Sequence, residues 1–199
     1  MERGKVQVRA LPEGTQFNNH TQVSAFLTSP WLWEQLAPAK HALLFQADSM
    51  LCVNSLARVE DFFEYDFVGA PIRTDWGEGF NGGLSLRNRE LCLRIASGYS
   101  WEEAYREETE RRQKGQGGNN GSKLDIRYED QWFYKCMLDL GAKLPSVEVA
   151  LTFAVETIDY EQPLGFHKPG AVFPDTVERI REWCPEIELT INEGFLTTD

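Results

Sequence analysis

No stretch of the chain reaches the roughly 18 consecutive apolar residues that a membrane-spanning helix needs, and the opening MERGKVQVRA lacks the apolar core of a secretory signal. Positive charge is also in deficit, with 20 Lys and Arg against 31 Asp and Glu and a formal net charge of -11. Such a surface repels phosphate backbones, so nucleic acid is excluded as an expected partner, and anionic membrane surfaces are disfavoured for the same reason. A free nucleotide diphosphate is a different case, because a bound divalent cation can offset its charge. Cysteine is scarce and dispersed. Cys52, Cys92, Cys136 and Cys184 form no CxxC pair, which argues against a cysteine-built zinc site. All four are read as buried thiols. The chain is then expected to be reduced, soluble and cytoplasmic, although a piece trimmed from a longer secretory protein of the Golgi lumen would have the same composition.

What is present has the length of a single domain spanning 1–199, and no internal repeat. KVQVRAL alternates polar and apolar residues and predicts a short strand. VSAFLTSPWLWEQLAP has apolar residues at helical spacing, and Pro30 splits it into two short helices. HALLFQAD, an apolar run closed by Asp48, predicts a buried parallel strand. RVEDFFEYDFVGAP predicts a short helix, a turn and a strand stopped by Pro71. RTDWGEGFNGG reads as a loop leading into the strand LSLRN. RELCLRIASG predicts a helix stopped at Gly98, and WEEAYREETERRQK a charged, solvated helix. Residues 114–122 have the composition of a flexible loop. A helix is expected from Glu129 to near Gly141, then a buried strand over VALTFAVE, a loop over YEQPLGFHKPG, and a helix over TVERIREWCPEI ended by Pro185. This alternation predicts an α/β domain with a mostly parallel sheet covered by helices on both faces.

Four short stretches hold residues suited to chemistry, and each has a plainer reading beside it. Asp48 ends an apolar strand, where a carboxylate does nothing for the core; it can bind a divalent cation, or simply cap the following turn. In FNGGLSLR, Gly82 and Gly83 allow close approach of a ligand to exposed backbone amides, and Asn81 suits sugar hydroxyls; the alternative is an ordinary Asn-Gly turn. In YEDQWF, Glu129 and Asp130 open a helix. One carboxylate can act as general base toward an acceptor hydroxyl while the other holds a substrate, the backbone or a basic neighbour such as Arg127, or both can be ordinary helix-start acids. In GFHKPG, His167 can complete a metal site and Lys168 can hold a phosphate, or both can be exposed loop residues. His20 and His41 are given no role. The Trp-rich WLWEQL is read as core packing rather than a sugar-stacking platform.

Taken in order, LLFQADSMLC, FFEYDFVGAPI, FNGGLSLRNRE, YEDQWF, ALTFAVE and GFHKP resemble a largely fungal family of uncharacterised proteins related to GT-A glycosyltransferases, over about residues 20 to 170. The resemblance implies a GT-A fold, in which a DxD-like motif at a strand end binds Mn²⁺ or Mg²⁺ and the metal holds the donor diphosphate. Asp48 matches the last acid of that motif, Gln46 stands in place of the first, and His167 matches a late metal ligand. The Gly-Gly loop followed by a Glu-Asp pair is similar to inverting transferases, which implies Asp130 or Glu129 as base; Asn81, Gly82, Gly83 and Lys168 remain the substrate-binding candidates read from the stretches above. The implied activity is transfer of a sugar from a nucleotide-sugar donor to a hydroxyl-bearing acceptor. The chain departs from the pattern at Gln46, which carries no charge. It also has only KVQVRAL and one helical segment ahead of FQAD, where GT-A enzymes hold the nucleotide base. Both departures keep open a non-catalytic glycan- or protein-binding domain as the alternative.

Overall fold

The computed structural model describes residues 8–115 and 124–191. Most of the predicted loop at 114–122, and the start of the predicted first strand, lie outside the described residues. The part of that strand that is described, 8–11, is irregular.

The helices begin and end where local chemistry dictates. Helix α1 (His20–Leu27) is capped by Asn19, whose side chain accepts from the Gln22 amide, and α2 (Pro30–Gln35) restarts at Pro30. Helix α3 (Arg89–Gly98) is capped by Asn88, which accepts from the amides of Glu90 and Leu91, and turns Cys92, Ile95 and Ala96 inward. Helix α4 (Trp101–Gln113) is capped by Ser100 and carries acids in its first turn and Arg111 and Arg112 in its last, complementing its dipole. Helix α5 (Glu129–Asp139) closes before Gly141, whose φ of 69° is a conformation glycine adopts without strain.

The strands differ from expectation. Strands β1 (His41–Phe45), β3 (Phe67–Pro71) and β4 (Phe80–Asn88) form one sheet in the order β1-β4-β3, with both pairs antiparallel. Strands β2 (Ser49–Leu51), β5 (Ala154–Val155) and β6 (Gly165–His167) form a second in the order β2-β6-β5, antiparallel between β2 and β6 and parallel between β5 and β6. The GT-A-like, mostly parallel sheet is therefore not what this chain builds. The apolar run in β1 misleads because it is half-exposed at a sheet edge, with Phe45 52% accessible, rather than buried on both faces. VALTFAVE is likewise not one strand. Ser146 caps helix α6 (Val147–Phe153), which buries Ala150 and Phe153 at helical spacing, and only Ala154 and Val155 pair as strand. The predicted final helix is present as α8 (Val177–Trp183), preceded by a one-turn helix, α7 (Pro169–Val172), and followed by α9 (Glu188–Ile191).

Two apolar clusters hold these elements. The larger is built on Trp33, Phe67, Leu84, Leu86, Ile95, Phe133 and Phe153, all essentially inaccessible. Each such side chain contributes about 1.5–3 kcal/mol by leaving water. Trp33 is thus core, as expected. The smaller cluster joins Met50, Val155 and Phe166 of the second sheet to Ile180 and Ile187 of the C-terminal helices. Cys52 and Cys184 lie within it and are disulfide-bonded, which corrects the reading of four free thiols. Their separation of 132 residues leaves no local pattern to reveal the pairing. Such bonds persist in oxidising surroundings. Cys92 is a buried free thiol and Cys136 a half-buried one. Among the described residues no helix is long and apolar enough to cross a membrane.

Candidate functional site

The site grows from an irregularity in β4. Gly69 of β3 pairs with Ser85, but the next residue, Ala70, pairs with Asn81, so 82–84 bulge out of that ladder. The bulge needs glycine for lack of room. A Cβ on Gly82 would lie 2.6 Å from both Arg87 Nη2 and Glu129 Oε1, and one on Gly83 would overlap the His167 ring, with Cδ2 at 2.7 Å. The amides of both glycines are used within the protein: Gly82 N donates to Asp130 Oδ2 at 2.9 Å and Gly83 N to Asn81 Oδ1 at 2.7 Å. Both glycines line the cleft, with these two N–H groups already engaged. They are a scaffold on which other groups converge.

Glu129 and Asp130 part ways at the start of α5, as successive helical residues must. Glu129 forms a two-pronged ion pair with Arg87, Nη1 to Oε2 at 2.6 Å and Nη2 to Oε1 at 3.0 Å. The Arg87 guanidinium is fully buried over the Phe67 and Phe133 rings. Arg127, expected as the partner, pairs with Asp125 instead. Asp130 accepts from the Gly82 amide and, at 2.7 Å, from the amide of Gln131. Burial and the neighbouring Glu129 carboxylate push Asp130 up to about 7, against the opposing pull of Arg87 and the two amides.

Asp48 and His167, distant in sequence, are brought together. His167 Nε2 lies 3.2 Å from Asp48 Oδ1 and 3.1 Å from Gln46 Oε1. On the other side of the ring, Nδ1 lies 3.1 Å from Glu156 Oε1, close enough for an ion pair but off the line of a well-directed hydrogen bond. Burial alone would lower the His167 pKa, but Asp48 and Glu156 outweigh it and hold it above its ordinary value. Asp48 is correspondingly lowered: its partial burial opposes this, while the His167 contact and the Lys168 charge prevail. Lys168 Nζ stands 4.0 Å from Asp48 Oδ2, and the Lys168 backbone is left-handed, with φ 50°. A lysine in that conformation is strained by roughly 1–2 kcal/mol.

One cleft of about 160 Å³ is lined by Gln46, Asn81, Gly82, Gly83, Asp130, His167 and Lys168, and Asp48 adjoins it through its contacts with His167 and Lys168. Small-molecule pockets span about 300–1,000 Å³, so this cleft is smaller than a typical ligand site. His20, for which no role is expected, also lines the cleft, as does Tyr128, which is 47% accessible. Among the described residues no group of three or more His, Cys, Asp or Glu is gathered as a metal-ligand set. Asp48 and His167 supply two donors of that kind, and Gln46 adds a carbonyl oxygen.

The sequence matches, over residues 5–167, the family described as "Protein of unknown function (DUF5672)". The chain belongs to that family. No curated protein and no solved structure matches it. Within this DUF5672 domain, every cleft residue described above except Lys168 falls inside the matched span.

Sequence reasoning passed over two members of the site, Arg87 and Glu156. Both left a signal. Arg87 is a charge inside the otherwise buried strand LSLRN, which demands a buried partner. Glu156 ends the apolar stretch ALTFAVE as Asp48 ends LLFQAD, and the argument applied to one applied equally to the other.

Proposed function

We propose that this domain transfers a sugar from a nucleotide-diphosphate donor to a hydroxyl acceptor, with Asp130 as general base. The observation that carries the reading is a buried carboxylate held against the cleft with its pKa pushed up to about 7. A base titrating near the working pH combines a useful unprotonated fraction with real proton affinity. In the transfer, the acceptor O–H gives its proton to Asp130, and the acceptor oxygen bonds to the anomeric carbon. The bond from that carbon to the diphosphate oxygen breaks, and the diphosphate leaves with the electron pair. Lys168 supplies a cation toward the leaving diphosphate. A divalent cation, Mn²⁺ or Mg²⁺, would be held by Asp48 and His167 beside the Gln46 carbonyl, and it supplies charge that holds the donor diphosphate. One carboxylate, one imidazole and one carbonyl leave coordination positions for phosphate oxygens and water. This reading concerns the cleft and does not require a parallel sheet.

The test is thermal unfolding with UDP, with and without Mn²⁺. A ligand at 100 times its dissociation constant adds about 2.7 kcal/mol, or about 5–11 °C in a chain of this size. Asp130→Asn should leave that shift in place and lower transfer by roughly 10² to 10⁴-fold. A second reading, a non-catalytic glycan-binding domain, is favoured by the two backbone amides on Asp130, which give the carboxylate a structural duty. It predicts glycan binding without transfer, whichever donor sugar is supplied.

A further inference from the structure

We propose that Glu156 is the positioning residue that holds His167 with Nε2 turned into the cleft. The inference rests on the reading of Asp48 and His167 as the residues that hold the cation. Its basis is the second sheet. In the parallel pair of β5 and β6, Ala154 faces Gly165 and Val155 faces Phe166. Glu156 follows directly after β5 and His167 ends β6, so the two come out beside each other at the end of this pair. Their side chains meet there, Oε1 to Nδ1 at 3.1 Å, with Glu156 buried and His167 almost inaccessible.

The imidazole has little freedom. Gly83 is glycine because a Cβ there would overlap the ring. Gln46 Oε1, from a residue that lines the cleft, and Asp48 Oδ1 both stand at Nε2. In the neutral ring, a carboxylate against Nδ1 favours the proton on that nitrogen, which leaves the Nε2 lone pair to take a cation. Glu156 thus sets both the ring's orientation and the basicity of its donor atom without touching the ligand. Asp48 alone would provide an all-oxygen site, whereas a correctly turned His167 adds nitrogen and favours Mn²⁺ over Mg²⁺.

The experiment is Mn²⁺ binding to the full chain in the presence of UDP, followed by electron paramagnetic resonance. Continuous-wave spectra count free Mn²⁺, and pulsed spectra report coupling to a directly bound imidazole nitrogen. Wild type should show that coupling, and His167→Ala should abolish it. Glu156→Ala should weaken Mn²⁺ binding about 10–100-fold and reduce the coupling. Glu156→Gln, whose amide oxygen can still lie against Nδ1, should keep the coupling with a several-fold loss of affinity. A folded Glu156→Ala chain that binds and couples like wild type overturns the inference. If that variant does not fold, unchanged Mn²⁺ affinity in Glu156→Gln overturns it instead. Mn²⁺ bound tightly by wild type without nitrogen coupling removes His167 and this inference but leaves Asp48 as a cation ligand. No Mn²⁺ binding with UDP removes the reading of the cation site and this inference with it.

Discussion

Replacing Glu129 by Gln isolates the ion pair beneath the cleft. Arg87 is fully buried, its Nη1 and Nη2 are engaged by Glu129, and its Nε donates to Ser85 Oγ at 3.1 Å. Glu129→Gln keeps the volume and one acceptor oxygen but turns an amide NH₂ toward the guanidinium and leaves its charge uncompensated. Breaking a buried pair in this way costs about 3–5 kcal/mol. The contacts of Arg87 with Phe67 and Phe133 remain, so the lower end, about 3 kcal/mol, is expected. At about 2–4 °C per kcal/mol for a chain of this length, the melting temperature should fall by about 6–12 °C. The paired replacement Arg87→Met with Glu129→Met removes both charges, and its cost should be well below the sum of the two single changes. The same substitution reaches the cleft. Without the Glu129 charge, and with Arg87 freed to act on it, Asp130 should titrate below its present value of about 7, which carboxyl ¹³C NMR would follow. A melting temperature within 2 °C of wild type, as a rough bound on scatter, or strictly additive single and double changes, would refute the claim that this pair acts as a unit.

Three further outcomes follow from the site. Asp130 moves from 3.8 in the unfolded chain to about 7 in the fold. The folded state therefore binds the extra proton, and the associated stability is full below about pH 4 and lost as pH rises to about 7. The gap is worth up to about 4 kcal/mol, so urea titrations should show Asp130→Asn gaining on wild type across that window, and a pH-independent difference would contradict the assignment. Gly83→Ala places a methyl into the His167 ring; it should cost about 1–3 kcal/mol and abolish any Mn²⁺-dependent UDP shift, and an undisturbed melt would show that the ring has room to move. Lys168→Gly relieves a left-handed lysine but frees the unfolded chain, so stability should change by less than about 1 kcal/mol while UDP affinity in calorimetry falls; unchanged affinity would remove Lys168 from the diphosphate site.

Taken by itself, the sequence determined the features whose causes are local. Pro30 divided the first two helices and Gly98 and Gly141 marked where helices stop, because breakers act within one turn, and the acids of its first turn made the start of α5 legible. The separate duties of Glu129 and Asp130 were legible too, since helical geometry forbids neighbours a shared direction. The resemblance, rather than any local rule, named Asp48 and His167 together. Tertiary structure decided everything that depends on which distant segments meet. An apolar run such as LLF satisfies a central parallel strand or a half-exposed antiparallel edge equally well, so sequence pattern alone does not distinguish the two sheets that form. VALTF became helix because Ser146 could cap it and Ala150 and Phe153 could face the core. Arg87 came to Glu129 across 42 residues, where the local candidate Arg127 had been expected, and Cys52 met Cys184 across 132. Burial makes such pairings favourable only once the chain has closed on itself, and until then nothing near either residue in sequence registers the other.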